Sequence, residues 1–314
     1  MRVKLKTLSP LHIGSGQEAS PLDYFIDGTD FCRLDMSGLF ADPGFLPLRD
    51  KFIQAAGAQR YIGGELPRDL LKRHVAYRIP TAGKAQRQLS ATTTTGKTVV
   101  KLALKSAGRV FLPGSSVKGT VLSALCWKVL SDGWNSGNPE ARNDIRDLLS
   151  RGRTQDRDEL LDVVLTRLGG RGERKFTHWL DVTDSDLKRP DDCLEISLAQ
   201  VQGSRRTQIP ILYETLKTGT EFTLELKPDP TSKLTVEAML ATVSEFYRLV
   251  NHADGSGRKE TNLIRLGQGS GAFAVSLLIL TQQIHERYDV WPPRTRKRVD
   301  DVFALGWAQL TTSP

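Results

Sequence analysis

Aromatic side chains make up only 7% of this 314-residue sequence, and cysteine occurs three times. Cys32, Cys126 and Cys193 are isolated and odd in number, and Cys126 reads as a small core residue within a helix. The five histidines (His12, His74, His178, His252, His285) are scattered, without the Cys/His or His/carboxylate spacing of zinc sites. A structural metal is therefore not expected. No apolar run approaches the roughly 20 residues that cross a bilayer. The opening Met1–Lys6 alternates basic and apolar residues, which is a strand pattern and not the apolar core of a signal peptide. These absences predict a cytoplasmic protein. No Gly-x-Ser-x-Gly elbow is present either, and no other catalytic constellation emerges.

What is present is ordinary globular composition, 39% hydrophobic and 25% charged, in a chain long enough for two domains or one large one. The net charge is +8, which favours a polyanionic partner. Basic clusters stand at Arg171–Lys175, Arg205-Arg206 and Arg294–Arg298, each of which taken alone reads as a solvated face.

Periodicity predicts a strand over about Val3–Leu8, followed by a loop, Ser9–Gly16, too rich in Gly and Ser to continue it. A hairpin is expected around Asp27-Gly28, helices with breaks from about Met36 to Val75, and an exposed, mobile excursion over Ala82–Lys97. Val99–Leu104 and Arg109–Leu112 read as strands, and Val117–Leu130 as an amphipathic helix. In the charged stretch Gly133–Lys175 only Glu159–Leu168 reads as a good helix, and Phe176–Val182 and Leu194–Val201 read as strands. In the second half the order is strand (Glu221–Lys227), helix (Leu234–Val250), strand (Asn262–Leu266) and helix (Phe273–His285). The expected fold is α+β: two ferredoxin-like (RRM-like) domains, 1–203 and 204–314, with a largely helical insertion at about 36–97 in the first.

Three loops carry the chemistry. In Pro113-Gly114-Ser115-Ser116-Val117-Lys118-Gly119, a turn opens a helix, and Ser115 or Ser116 is a candidate cap. Lys118 sits where the helix dipole is positive and Gly119 costs helix stability, so both suit an anion such as phosphate at the helix start. The alternative is a plain strand–turn–helix junction with Lys118 in solvent. Gly267-Gln268-Gly269-Ser270-Gly271-Ala272 formally fits a dinucleotide fingerprint, but only 42 residues follow Ala272, too few for the βαβ series that fingerprint opens. It reads better as backbone approaching a phosphodiester, or else as a tight turn without ligand. His12, in the first loop, is either a base or stacking group or a loop residue with a satisfied ring nitrogen. The acidic run Asp181–Asp186 lacks the glycine and distal Glu of a calcium loop and reads as a solvated turn.

Together the three loops resemble signatures of the RAMP superfamily of CRISPR proteins. Leu8–Gly16 is similar to its N-terminal signature, Phe111–Gly119 to its central motif and Ile264–Gly271 to its C-terminal glycine-rich loop. Ser20–Tyr24 and Pro210–Glu214 add weaker matches. Within the superfamily, order and wording are most similar to the fifth Csm subunit of type III-A effector complexes. The resemblance implies one or two RRM-like domains, guide-RNA (crRNA) binding at the guide's 3′ end beside target RNA, other Csm-type subunits as partners, no cofactor, and no catalysis by this subunit. It points to His12, Gly14, Ser15, Gly16, Gly114, Ser115, Ser116, Lys118, Gly119, Arg265, Gly267, Gln268, Gly269, Ser270 and Gly271 as RNA-contacting positions. The family motif usually carries a basic residue where this chain has Leu122, so that contact is either missing or supplied elsewhere, by Arg205 or Arg206. No aromatic-rich RNP pattern is visible, and backbone recognition through glycine loops and cations is expected to dominate. The alternatives are a ribonuclease using His12 or Asp23, and a nucleotide-binding enzyme using Gly267–Gly271.

Overall fold

Alternation places Val3, Leu5 and Thr7 of strand Arg2–Thr7 in the interior and leaves Arg2, Lys4 and Lys6 exposed. The computed structural model describes residues 1–81, 83–95, 98–151, 155–170, 175–202, 210–232, 234–284, 296–299 and 303–312. Arg2–Thr7 lies at the centre of a five-stranded antiparallel sheet, in the order Leu263–Arg265, Trp307–Thr312, Arg2–Thr7, Glu221–Pro228 and Leu180–Val182. Cross-strand register pairs Lys6 with Glu221, whose charged groups are 3.5 Å apart. Helices Gly114–Asn135 and Val236–Ala253 pack against each other and against this sheet. Leu180–Val182, reached from the first strand through helix Gly114–Asn135, runs parallel to it with Glu221–Pro228 between them. That is a split strand–helix–strand unit.

A second, six-stranded sheet has the order Phe303–Ala304, Arg296–Val299, Leu194–Gln202, Ile211–Leu216, Val100–Ala103 and Gly14–Ala19. A small sheet of Tyr24–Asp27, Asp30–Leu34 and Val75–Pro80 joins the insertion to it. The expected hairpin forms, with Gly28 at φ 64° in its turn. The mixed α+β class is as read from the sequence. Both sheets take strands from either side of residue 203. Strands of the two halves satisfy one another's backbone groups.

Other elements differ from the sequence reading. Gly14–Ala19 is a strand despite its Gly/Ser content, held at a sheet edge with an irregular register. Gly83–Thr95 is a helix with Ala85 and Leu89 buried, not an exposed excursion. Pro139–Ser150 is a second helix in the charged stretch, capped by the Asn138 side chain and burying Ile145 and Leu148. The helix expected at Phe273–His285 is two short pieces, Ala272–Val275 and Leu278–Ile284. Trp307–Thr312, to which the sequence reading assigned no element, is an interior strand of the five-stranded sheet.

Candidate nucleic-acid interface

The first and third glycine loops touch through backbone. Gln268 N–H donates to the carbonyl of His12 at 2.8 Å, and Leu266 N–H donates to Gly306 at 2.9 Å. Gly267 has φ +76°, and a Cβ there would lie 2.4 Å from the His12 carbonyl oxygen. Only glycine fits. Gly269 and Gly271 also take positive φ, 84° and 80°. Gln268 and Gly271 are exposed and Ser270 half-buried, while across the contact Gly14 and Gly16 are exposed and Ser15 is half-buried. Ser15 Oγ donates to the Leu102 carbonyl at 3.2 Å.

Two residues assigned to these loops are interior instead. The His12 ring is buried, with Nδ1 2.7 Å from the Glu214 carbonyl and the ring centroid 4.6 Å from that of Tyr213. Burial pushes its imidazole below the ordinary value of 6.5. Arg265 is buried too. Its guanidinium pairs with Asp254, donates to the Leu305 carbonyl at 3.2 Å and to the Gly269 carbonyl at 3.0 Å, and lies over the Trp307 ring. Trp307 Nε1 in turn donates to Ser256 Oγ at 3.1 Å, and Ser256 hydrogen-bonds Asp254. Arg265 thus shapes the glycine loop from beneath, and Asp254, which sequence reasoning passed over, anchors it. A lone Asp at a helix end carries no signal of that role.

The central motif is built differently from its reading. Pro113 occupies the cap position of helix Gly114–Asn135, and neither serine caps it. Asp184 does so from the acidic turn, accepting Gly114 N–H at 2.7 Å. A Cβ on Gly114 would lie 2.2 Å from the Val182 carbonyl oxygen, so this glycine serves close packing inside the protein. The run Asp181–Asp186 is therefore a strap across the helix start: Ser185 Oγ accepts Leu112 N–H at 2.9 Å, and Asp186 accepts Thr223 N–H at 2.6 Å. Lys118 is half-buried, with Nζ 3.6 Å from the carboxylate of Asp181, which is 84% exposed. So exposed a pair contributes little, about 0–1 kcal/mol, and leaves Lys118 able to exchange it for another anion. Gly119 is exposed, with no atom within 4 Å of an added Cβ. The next residue, Thr120, donates its hydroxyl to the Arg265 carbonyl at 3.5 Å, and its own carbonyl accepts the Tyr247 hydroxyl at 3.2 Å. The start of this helix therefore borders the third loop. Leu122 is buried and belongs to the core. Arg205 and Arg206 lie outside the described residues.

Behind the first loop, the fully buried Glu214 accepts from Tyr77, Lys105 and, at 2.8 Å, the Ala103 amide. It ties the small sheet to the six-stranded one.

The sequence model of the RAMP superfamily matches residues 4–271. The chain belongs to the RAMP superfamily. Its fold is similar to that of a chain from a cryo-EM structure of a Csm–crRNA–target RNA ternary complex of a type III-A CRISPR-Cas system. The TM-score is 0.72 at 22% identity, over 99% of this chain and 100% of that one. It is also similar to the crystal structure of T. onnurineus Csm5, with a TM-score of 0.68 at 20% identity, over 98% of this chain and 100% of that one. No curated protein matches the sequence. In this RAMP, two of the three signature loops meet directly and the third borders them through Thr120.

Proposed function

We propose that this RAMP is a non-catalytic, guide-RNA-binding subunit of a type III-A CRISPR antiviral effector, capping the 3′ end of the crRNA and contributing to its maturation. Its partners in this reading are the crRNA, the target RNA and other Csm-type subunits, in the cytoplasm. The observation that carries it is the convergence of the first and third glycine loops, in which Gly14, Gly16, Gln268 and Gly271 are exposed, beside the helix start that bears Lys118 and Gly119. Surface glycine loops with one adaptable cation suit phosphodiesters of any sequence, as a guide-binding subunit requires. We take the five-stranded sheet with its two helices as one RRM-like layer and the six-stranded sheet as the remnant of a second. A non-catalytic role is supported by the enclosure of His12 and by Asp23, whose carboxylate is engaged by Ser20 and by Arg33.

The test is co-purification with the products of neighbouring genes, followed by sequencing of the bound RNA. The expected RNA has a common repeat-derived end and a 3′ boundary that shifts when this chain is omitted. An unchanged boundary would remove the capping role. Cleavage of labelled RNA by the isolated chain, lost in His12→Ala or Asp23→Ala, would replace this reading with a ribonuclease.

A further inference from the structure

An open cavity of about 500 Å³ lies between the small sheet and the strand that carries Ser15. Arg33, Arg73, His74 and Lys105 all line it. Each is held by a carboxylate that does not itself line the cavity. Asp23 holds Arg33 at 3.4 Å, Asp42 holds Arg73 at 3.1 Å and His74 at 2.7 Å, and Glu214 holds Lys105. Asp35 is the one carboxylate in the lining, and it already accepts the Ser37 amide at 3.1 Å. The carboxylates orient the donors and offset their charge, so the cavity offers directed N–H groups and little net field. Met36 and Val75 add apolar wall.

Directed donors beside an apolar wall, in a cavity of this size, match a phosphate joined to a flat heterocycle. We propose that this cavity takes one nucleotide, its phosphate held by Arg73 and Lys105 and its base set against Met36 and Val75. As a site for a strand it rests on the RNA-binding reading. Ser15 lines the cavity and Gly14, Gly16 and Gln17 beside it are exposed, so an RNA crossing the first loop reaches the cavity mouth. A free nucleotide carries the same chemistry, and the two sources separate experimentally.

The experiment uses the full chain and a series of short single-stranded RNAs with 4-thiouridine at successive positions, irradiated and mapped by mass spectrometry. Uridine monophosphate is titrated in parallel by calorimetry. One RNA position should attach within residues 33–36 or 73–77. Arg73→Ala leaves Asp42 bonded to His74, so the fold should stand, which circular dichroism checks. That variant should lower the crosslink yield about tenfold. Because Arg73 would contact a phosphate, the same variant should also flatten the salt dependence of RNA affinity, by up to about one unit. Saturable uridine monophosphate binding, weakened about tenfold by Arg73→Ala, without a crosslink, would assign the cavity to a free nucleotide. Absence of both signals overturns the proposal. If the chain still binds RNA in that case, the RNA-binding reading survives the loss of the cavity; if it binds none, both fall.

Discussion

The backbone amide of Gln268 is bonded to the carbonyl of His12 at 2.8 Å, across 256 residues of sequence, and the neighbouring Gly267 leaves no room for a side chain between them. Gly267→Ala should therefore destabilise the protein. Positive φ alone costs a non-glycine residue about 1–3 kcal/mol, and the contact with the His12 carbonyl adds to that. Urea unfolding measures it. A midpoint unchanged from the parent would mean the loops do not meet as described.

Gly119 should behave oppositely. It lies in a helix with open space around it, so Gly119→Ala should stabilise the fold by up to about 1 kcal/mol. If RNA backbone approaches here, the same change should weaken RNA binding. Stabilisation with undiminished affinity would remove Gly119 from the interface.

Lys118→Ala should weaken binding about equally for unrelated RNA sequences and flatten the salt dependence by roughly one unit. Since its partner Asp181 is exposed, thermal stability should barely move. Filter binding at several salt concentrations gives both affinity and slope.

His12 predicts an acid-side loss of stability. Burial lowers its imidazole below 6.5; the Glu214 carbonyl and carboxylate oppose this, and Lys101 and Lys105 reinforce it. As pH falls through 6.5 the unfolded chain takes up this proton before the folded one does. The unfolded state then binds more protons, so stability falls with pH until the folded imidazole also titrates. Equilibrium unfolding above and below pH 6.5 should show a shallower pH dependence in His12→Gln than in the parent.

Removing Asp254 should be severe. Asp254→Ala leaves the buried Arg265 without its counter-charge, at a cost of about 3–5 kcal/mol, and frees the guanidinium from its hold on Gly269. Hydrogen exchange of the Gly267–Gly271 amides should then rise beyond the global change. Exchange that stays proportional to global stability would show that Arg265 does not shape the loop.

These residues mark what was legible in the sequence. Apolar spacing at Val117, Val121 and Leu125 announced the long helix, and Val3 and Leu5 the first strand, because burial on one side writes a period into the chain. Gly14–Ala19 wrote none, since an edge strand with exposed residues has no apolar face to alternate. Among the described side chains of Gly83–Thr95, Ala85 and Leu89 alone are buried, a stripe too narrow to read as a period. The three loops were legible as motifs, but not the division of labour inside them. Arg265 and Lys118 look alike in sequence, and only the distant Asp254 and Trp307 make one of them interior. Gly114 and Gly119 likewise differ only through the strap at Val182–Asp184.

The first strand pairs with Glu221–Pro228 on one side and Trp307–Thr312 on the other. On a ribosome adding 5–20 residues per second, its first partner emerges roughly 10–40 s after it does, and its second later still. Throughout that interval Val3 and Leu5 have no sheet to join, and helix Gly114–Asn135 has no completed sheet to cover. The nascent chain must carry an unsatisfied strand and an apolar helix face together, the kind of exposed surface that is prone to aggregate before the chain is complete.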